Sequence, residues 1–581
     1  MHFGALVYYY YAMNLKELSL YLEKLESTSS RIEITKILAE LFKKTDSGEI
    51  DKVAYLVLGQ LAPGYRSVVF NIAEKMVIRT LSEAYGSEEK KVTEIYKKLG
   101  DLGNVAEELG KRQSTKAEKV SVLEIYEKLL RVAKDSGEGS QERKVAEFAK
   151  IIKDVDPVSS KFIVRIALGK LRLGFSDKTI LDALSFLEKG DKSGKAELEK
   201  AFFVLPDVGL LAKRVKERGI KNMALEVSPV VGIPVLPMLA QRLKSPSEMI
   251  EKMGEVSVEP KLDGLRLQIH FTKKGVRAFT RNLNETSWMF PELMKIGSQI
   301  KASEAILDSE AVGLDEETKS MANFQTTMTR RRKHEIEETV KKIGIEFFVF
   351  DIMSKDGKNL INKTYGERRK ILEETIKPGK ILKLVDNHKT NNPEEISDIF
   401  RKKIKDNYEG VVVKKLTGTY FSGRTGWRWV KMKQEESSSA QLADTVDALV
   451  MGYTIGKGKR ASFGVGQFLV GVKRGEKFVT TTKVGTGLTD EQFKELSKRL
   501  EKIQTNEKPK EYEVHKNYTP DFWVSPSLVV EIAADEITKS PTHTAGLALR
   551  FPRLIRFRDD KSPNQATTID ELNDLYKMQE K

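Results

Sequence analysis

Three prolines within nine residues, Pro229, Pro234 and Pro237, divide this chain into two kinds of pattern. Proline fixes φ and lacks an amide hydrogen, so no helix continues through such a stretch and a linker is expected. Upstream, apolar residues recur at helical spacing: Leu15, Leu18, Leu22 and Leu25, then Ile34, Ile37, Leu38 and Leu41 behind a predicted capping box of Ser30 and Glu33. Helical patterns continue through 125–132, 145–152 and 162–171, with a loop at 136–140. Downstream the period changes to two. Leu267, Ile269 and Phe271 share a strand face, and Lys274–Gly275 turns the chain into a second strand over 276–280. Further strands are predicted at 345–353 and 410–416, with helices at 335–343 and 366–376. A serine-containing stretch at 434–441 marks a second hinge. Beyond it, short strands at 448–453, 468–472, 478–484 and 528–533 surround one helix at 490–503, the pattern of a small barrel of OB-fold type. The expected architecture is multidomain: an all-α region over 13–225, an α+β domain over 226–436 and a β-barrel over 437–581. Residues 1–12 lack the basic start of a secretory signal and are expected to be an extension without function.

Charge narrows the partners. Ninety-nine basic against 84 acidic residues leave a net charge of +15, which favours a polyanion, nucleic acid ahead of anionic lipid. There is no cysteine, which excludes disulfides and thiolate zinc sites and fits a reducing, cytoplasmic interior. No run of 18 apolar residues exists, so no helical membrane span is expected.

The chemistry concentrates around Lys261, within Glu-Pro-Lys-Leu-Asp-Gly-Leu-Arg at 259–266. A lysine amine kept neutral by nearby cations or a metal is a nucleophile. Companions follow in order: Glu310 in Leu-Asp-Ser-Glu-Ala-Val-Gly, Phe350 in Phe-Val-Phe-Asp-Ile-Met, Glu409 in Glu-Gly-Val-Val-Val-Lys, and Lys431 and Lys433 in Trp-Val-Lys-Met-Lys. Singly, each has a plain structural explanation: a solvated glutamate, a core phenylalanine, a half-exposed strand. Upstream, Gly169-Lys-Leu-Arg-Leu-Gly174 sets Lys170 and Arg172 between glycines, suited either to a phosphate chain or to a helix end with two solvated charges.

The ordered set resembles the covalent nucleotidyltransferases: ATP-dependent DNA ligases, RNA ligases and mRNA capping enzymes. The helical region ahead of the lysine, with Leu-Arg-Phe-Pro-Arg-Leu-Ile-Arg-Phe-Arg-Asp-Asp-Lys-Ser-Pro at 549–563, is most similar to the larger DNA ligases of archaea and eukaryotes. That resemblance implies that Lys261 attacks the α-phosphate of ATP to form a lysyl-AMP. It implies that Glu259 accepts from the adenine amino group, Phe350 stacks on the base, and Arg266 and Arg281 hold phosphate and ribose oxygens. Glu310 and Glu409 would orient the ribose and hold Mg²⁺, with Mn²⁺ an admissible replacement. Lys414, Lys431 and Lys433 would offset charge on the α-phosphate, and Asp263 would act beside the nick. Arg556, Arg558 and Lys561, with Arg553 nearby, would swing over the leaving pyrophosphate, and Lys170 and Arg172 would hold DNA phosphates. One departure stands out: where the family carries an arginine six residues before Lys431, this chain has Thr425, with Arg424 beside it as the substitute. The implied partner is nicked duplex DNA, met by a monomer, with a sliding clamp admissible. An RNA ligase or capping enzyme would share Lys261 but not the long helical region. An NAD-dependent ligase would carry the missing zinc cysteines. A non-catalytic clamp would have no need of Lys261, Glu310, Glu409 and Lys431 together.

Overall fold

The computed structural model describes residues 12–113, 120–171, 173–243, 245–314, 344–406, 408–423, 426–433, 445–456, 463–485 and 488–579. The helix expected at 335–343, the hinge at 434–441, nearly all of the extension at 1–12, and Arg172, Arg424 and Thr425 lie outside them. Two compact units result, Met1–Met432 and Lys433–Lys581. No helix among the described residues is long and apolar enough to cross a membrane.

The N-terminal region is helical from Leu15–Glu26 to Val208–Glu226. Its helices start where side chains can satisfy the free amides. Asn14 accepts from Lys16 N at 2.8 Å, and Asp156 accepts from Val158 N and Ser159 N ahead of Pro157. Leu15, Leu18, Leu22 and Leu25 are buried, as their spacing predicts. The capping box at Ser30 is only half formed. Ser30 accepts from Glu33 N, but the Glu33 carboxylate takes the Thr28 hydroxyl, whose oxygen in turn accepts from Ser30 N. The helix expected over 162–171 is Pro157–Ala167; the chain leaves it through Gly169, at φ +63°. Val208–Glu226 is broken at Gly219 (φ +76°), where Glu188 accepts from Ile220 N.

The proline stretch is not a free linker. Its backbone is pinned to the strand Leu265–Thr272: Val235 N donates to Gln268 Oε1 at 2.9 Å, and Gly232 N donates to His270 Nδ1 at 3.0 Å. Prolines prevent this extended segment from pairing as a full strand, so polar side chains buried beneath it take its amides. Phe203, Val204 and Leu205, from the end of a helix, pack with Val235, Met238, Tyr420 and Trp429 in one cluster.

Two sheets follow. In one, the strands run in the order Gln241–Arg242, Trp429–Lys433, Gly410–Lys415, Val256–Pro260, His388–Thr390. The other runs Gly275–Thr280, Leu265–Thr272, Glu304–Leu314, Gly344–Lys355, Lys358–Asn359, with Leu382–Leu384 pairing alongside Gly344–Lys355. Alternation sorts their faces. Val256, Val258, Val411 and Val413 bury one side of the first sheet with Met249, Met253 and Ile396. Leu267, Ile269, Leu307, Phe347 and Val349 bury one side of the second with Leu293 and Leu372. Glu259 and Lys414 of the first sheet, with Arg266, Glu310 and Phe350 of the second, lie outside these two apolar clusters.

The second unit is strand-rich. Val446–Ile455, Val465–Arg474 and Lys477–Val484 form an antiparallel meander, and Val529–Ala533 bridges Val446–Ile455 and Arg553–Phe557. The helix Asp490–Lys502 starts at a complete capping box of Thr489 and Gln492. The strands Phe522–Val524 and Arg553–Phe557, the hairpin Glu536–Lys539 with Leu547–Arg550, and the helix Ile569–Gln579 add to the elements expected from sequence.

Candidate active site

Glu259, Lys261, Arg266, Glu310, Phe350, Lys414 and Trp429 line one cleft, with Ala240, Leu262, Val385 and Val412 as apolar wall. Lys261 follows directly on the strand Val256–Pro260, and its amide donates to Gly410 O at 2.9 Å. Its Nζ forms an ion pair with the Glu409 carboxylate. Gly264 is required by close approach. A Cβ there would lie 2.4 Å from Ala311 O and 3.0 Å from Glu310 Cγ, so the Lys-x-Asp-Gly turn presses against the strand that carries Glu310. Asp263 is exposed.

At the inner end, Glu259 and Lys414 pair at 2.7 Å, and the Tyr365 hydroxyl donates to the other Glu259 oxygen. Lys414 Nζ sits 4.5 Å from the ring centres of both Phe350 and Trp429 and 4.8 Å from that of Tyr365. Cation–π attraction and the carboxylate together offset its loss of water. Burial pulls the Lys414 amine below its ordinary range, against Glu259, which raises it. In this arrangement the Lys414 charge is met by Glu259, within the same cleft lining as Lys261.

Arg266 and Glu310 face each other across paired strands. The Arg266 fork grips Asp308 at 3.0 and 2.6 Å, gives a third bond to Met238 O at 2.7 Å, and shares Tyr420 OH at 3.3 Å. Tyr420 OH in turn donates to Asp308 at 2.8 Å. Arg266 is thus held mainly by protein, with one Nη1 hydrogen left over for a ligand. Burial opposes its charge, but Asp308 outweighs burial and holds the guanidinium above its usual range. Burial pushes the Glu310 carboxyl up to about 8, with Arg266 and Lys261 pulling the other way. Behind the site, Arg368 and Asp351 form a fully buried two-bond pair at 2.8 Å each.

Lys431 shares a strand face with Trp429, which lines the cleft, and Lys433 ends that strand. Arg281 is exposed on the turn after Gly275–Thr280. Trp427 is half-buried at φ +47°, with Lys252 Nζ 4.3 Å from its ring centre. Among the described residues no group of three or more His, Asp or Glu side chains is arranged for a metal. Glu409 and Glu310 are hard-oxygen donors near Lys261, two carboxylates that leave most of an octahedral shell to water and substrate, as Mg²⁺ prefers.

In the second unit the basic segment is internally paired. Arg558 binds Asp447 at 2.8 and 3.0 Å and Asp560 at 2.9 and 2.8 Å, Lys561 meets Asp447 at 2.5 Å, and Arg556 donates to Glu531 at 2.7 Å. In the helical region Lys170 pairs with Glu74, both partly exposed.

Asp308, Tyr365, Tyr420 and Trp429 belong to the site and carried no sequence assignment there. Asp308 lies two residues before Glu310, so strand alternation puts it on the same side. Tyr365 and Tyr420 carry no local signal.

Three family models match: "ATP dependent DNA ligase domain" over 237–433, "DNA ligase N terminus" over 14–185 and "ATP dependent DNA ligase C terminal region" over 461–561. A "Probable DNA ligase" of Dictyoglomus turgidum is 39% identical over 576 residues, covering 97% of this chain and 98% of its own. The "DNA ligase" of Saccharolobus solfataricus is 38% identical over 597 residues, 98% of each. The solved structure described as "Pmar-Lig_PreS3" aligns with 93% of this chain and 99% of its own at a TM-score of 0.52 and 17% identity, a likeness of fold.

Proposed function

The chain belongs to the ATP-dependent DNA ligase family, and on that footing we propose how its residues divide the work of sealing a nick. Ligation runs as three transfers. The amine attacks the α-phosphorus of ATP, a P–N bond forms, and pyrophosphate leaves. The 5′-phosphate of the nick then takes the AMP as the P–N bond breaks. Finally the 3′-hydroxyl attacks the activated 5′-phosphate, forming the phosphodiester and releasing AMP.

Lys261 is the nucleophile. To attack, it leaves Glu409 and gives up a proton, because an ion-paired ammonium has no lone pair. Phe350 stacks on the adenine, Glu259 accepts from its amino group, and Glu310 and Arg266 face the ribose and phosphates. Arg281 reaches phosphate and ribose oxygens from the exposed turn after Thr280. Lys431 offsets α-phosphate charge, with Lys433 beyond it on the same strand face. Glu310 and Glu409 would hold Mg²⁺, which would neutralise phosphate charge there. Asp263, exposed at the turn after Lys261, faces the nick.

Around this core we read an all-α DNA-binding region, an adenylation domain and an OB-fold barrel. Arg556, Arg558 and Lys561 exchange Glu531 and Asp447 for pyrophosphate when they close on ATP. Lys170 exchanges Glu74 for a DNA phosphate. Binding acts through phosphates, as a monomer inside the cell, and weakens steeply with salt.

The observation that carries this assignment is the convergence of Glu259 with Lys261, Arg266, Glu310 and Phe350, from four strands or their ends, on one cleft. The test is a labelled duplex with a single nick. Sealing should need ATP, a divalent cation and a 5′-phosphate, and should favour a DNA nick over an RNA nick. Sealing without ATP, or of RNA nicks alone, would contradict it.

A further inference from the structure

Tyr365 is completely buried, yet its hydroxyl reaches the residue assigned to the adenine amino group. It opens the helix Tyr365–Thr375, and that helix start is fixed from three directions. Thr364 and Glu367 form a full capping box, Tyr365 N donates to Gly418 O at 2.8 Å, and Gly366 N donates to Leu416 O at 2.9 Å. The phenol therefore has little freedom. Its hydrogen goes to one oxygen of Glu259, while Lys414 Nζ, at 2.7 Å, serves the other.

We propose that Tyr365, acting through Glu259, sets the preference of this cleft for a 6-amino purine over a 6-oxo purine. The inference rests on the reading that the cleft takes a nucleoside triphosphate. Glu259 receives a donor on each oxygen, so toward the cleft it offers only lone pairs. Phe350, the stacking ring, is beside it: Lys414 Nζ is 4.5 Å from that ring centre and 3.3 Å from Phe350 O. A purine lying on Phe350 with its 6-position toward Glu259 can give a hydrogen if it is adenine. Guanine presents an oxygen there, and two acceptors facing each other in a dry pocket repel. Removing the phenol hydroxyl frees one Glu259 oxygen, so the carboxylate can turn away and no longer present a fixed acceptor to position 6. Tyr365 does not line the cleft itself, so it is a positioning residue.

The experiment follows the covalent adduct on Lys261 in the full chain, using α-phosphate-labelled ATP and GTP separately. Tyr365→Phe keeps the ring and removes only the hydroxyl. The expected result is a KM for ATP raised roughly three- to tenfold with the adenylation rate constant nearly unchanged, and an ATP:GTP preference lowered about tenfold or more. A purely structural role would lower both nucleotides alike and leave the preference intact, which would overturn the proposal. A second measurement needs no variant. On the wild-type protein, purine riboside triphosphate, which has nothing at position 6, should be used better than GTP, since a missing hydrogen bond costs less than a repulsion; GTP used as well or better overturns the proposal. An adduct that never forms on wild type with any nucleotide would overturn the parent reading as well. An adduct that forms normally with an unchanged ATP:GTP preference in Tyr365→Phe would overturn this proposal alone.

Discussion

Glu259 and Lys414 meet at 2.7 Å with each side chain only 2% exposed, so the cleft carries a neutralised ion pair beside the Phe350 ring. Removing one partner of such a pair strands a charge in a dry site. Lys414→Met should therefore lower stability by about 3 kcal/mol, and Glu259→Gln together with Lys414→Met should recover much of that loss. Urea unfolding of the two variants beside wild type checks this; a single variant as stable as wild type would contradict it.

Arg266 owes its orientation to Asp308, whose side chain is fully buried. Lysine cannot reproduce two parallel bonds to one carboxylate. Arg266→Lys should slow single-turnover adenylation by about tenfold or more while leaving the melting temperature within a few degrees.

Gly264 lies too close to Ala311 O for any side chain. Gly264→Ala must push the turn bearing Lys261 and Asp263 away from Glu310. A displacement near 1 Å at a reacting group costs about a hundredfold, so nick sealing should fall by that order with the circular-dichroism spectrum unchanged. Sealing at the wild-type rate would contradict the close approach.

His270 is buried and held neutral. Burial, then the nearby Arg277, lowers its pKa to about 3. Between about pH 6.5 and 3 the unfolded chain binds a proton here that the folded chain does not. The stability this group contributes is complete above pH 6.5 and drains away as the pH falls toward 3, by up to about 5 kcal/mol. His270→Asn keeps an acceptor for Gly232 N and has nothing to titrate, so its denaturation midpoint should depend less on pH across that window.

How much of this was legible in the sequence follows from which forces are local. Leu15, Leu18 and Leu22 announce their helix because burial repeats with its period, and Lys261 announces itself through the ordered set of Glu310, Phe350, Glu409 and Lys431 that follows it. The half-formed box at Ser30 is not legible in the sequence because Thr28, outside the four-residue pattern, competes for Glu33. The proline stretch appeared to be a linker because its acceptors, Gln268 and His270, lie more than thirty residues away. The pairing of Lys414 with Glu259 and Tyr365 is not legible, because these residues come together only when separate strands and a helix pack. Long-range polar pairing of this kind leaves no periodic trace.

The central claim is that Lys261 carries the nucleotide. The most direct measurement incubates the purified protein with α-phosphate-labelled ATP and Mg²⁺, quenches, and resolves the denatured chain beside Lys261→Ala. The account predicts an acid-labile AMP adduct on the wild type, absent from the variant and discharged by nicked DNA. A labelled Lys261→Ala chain, or a wild type that stays unlabelled after pyrophosphate has stripped any bound AMP, would contradict it.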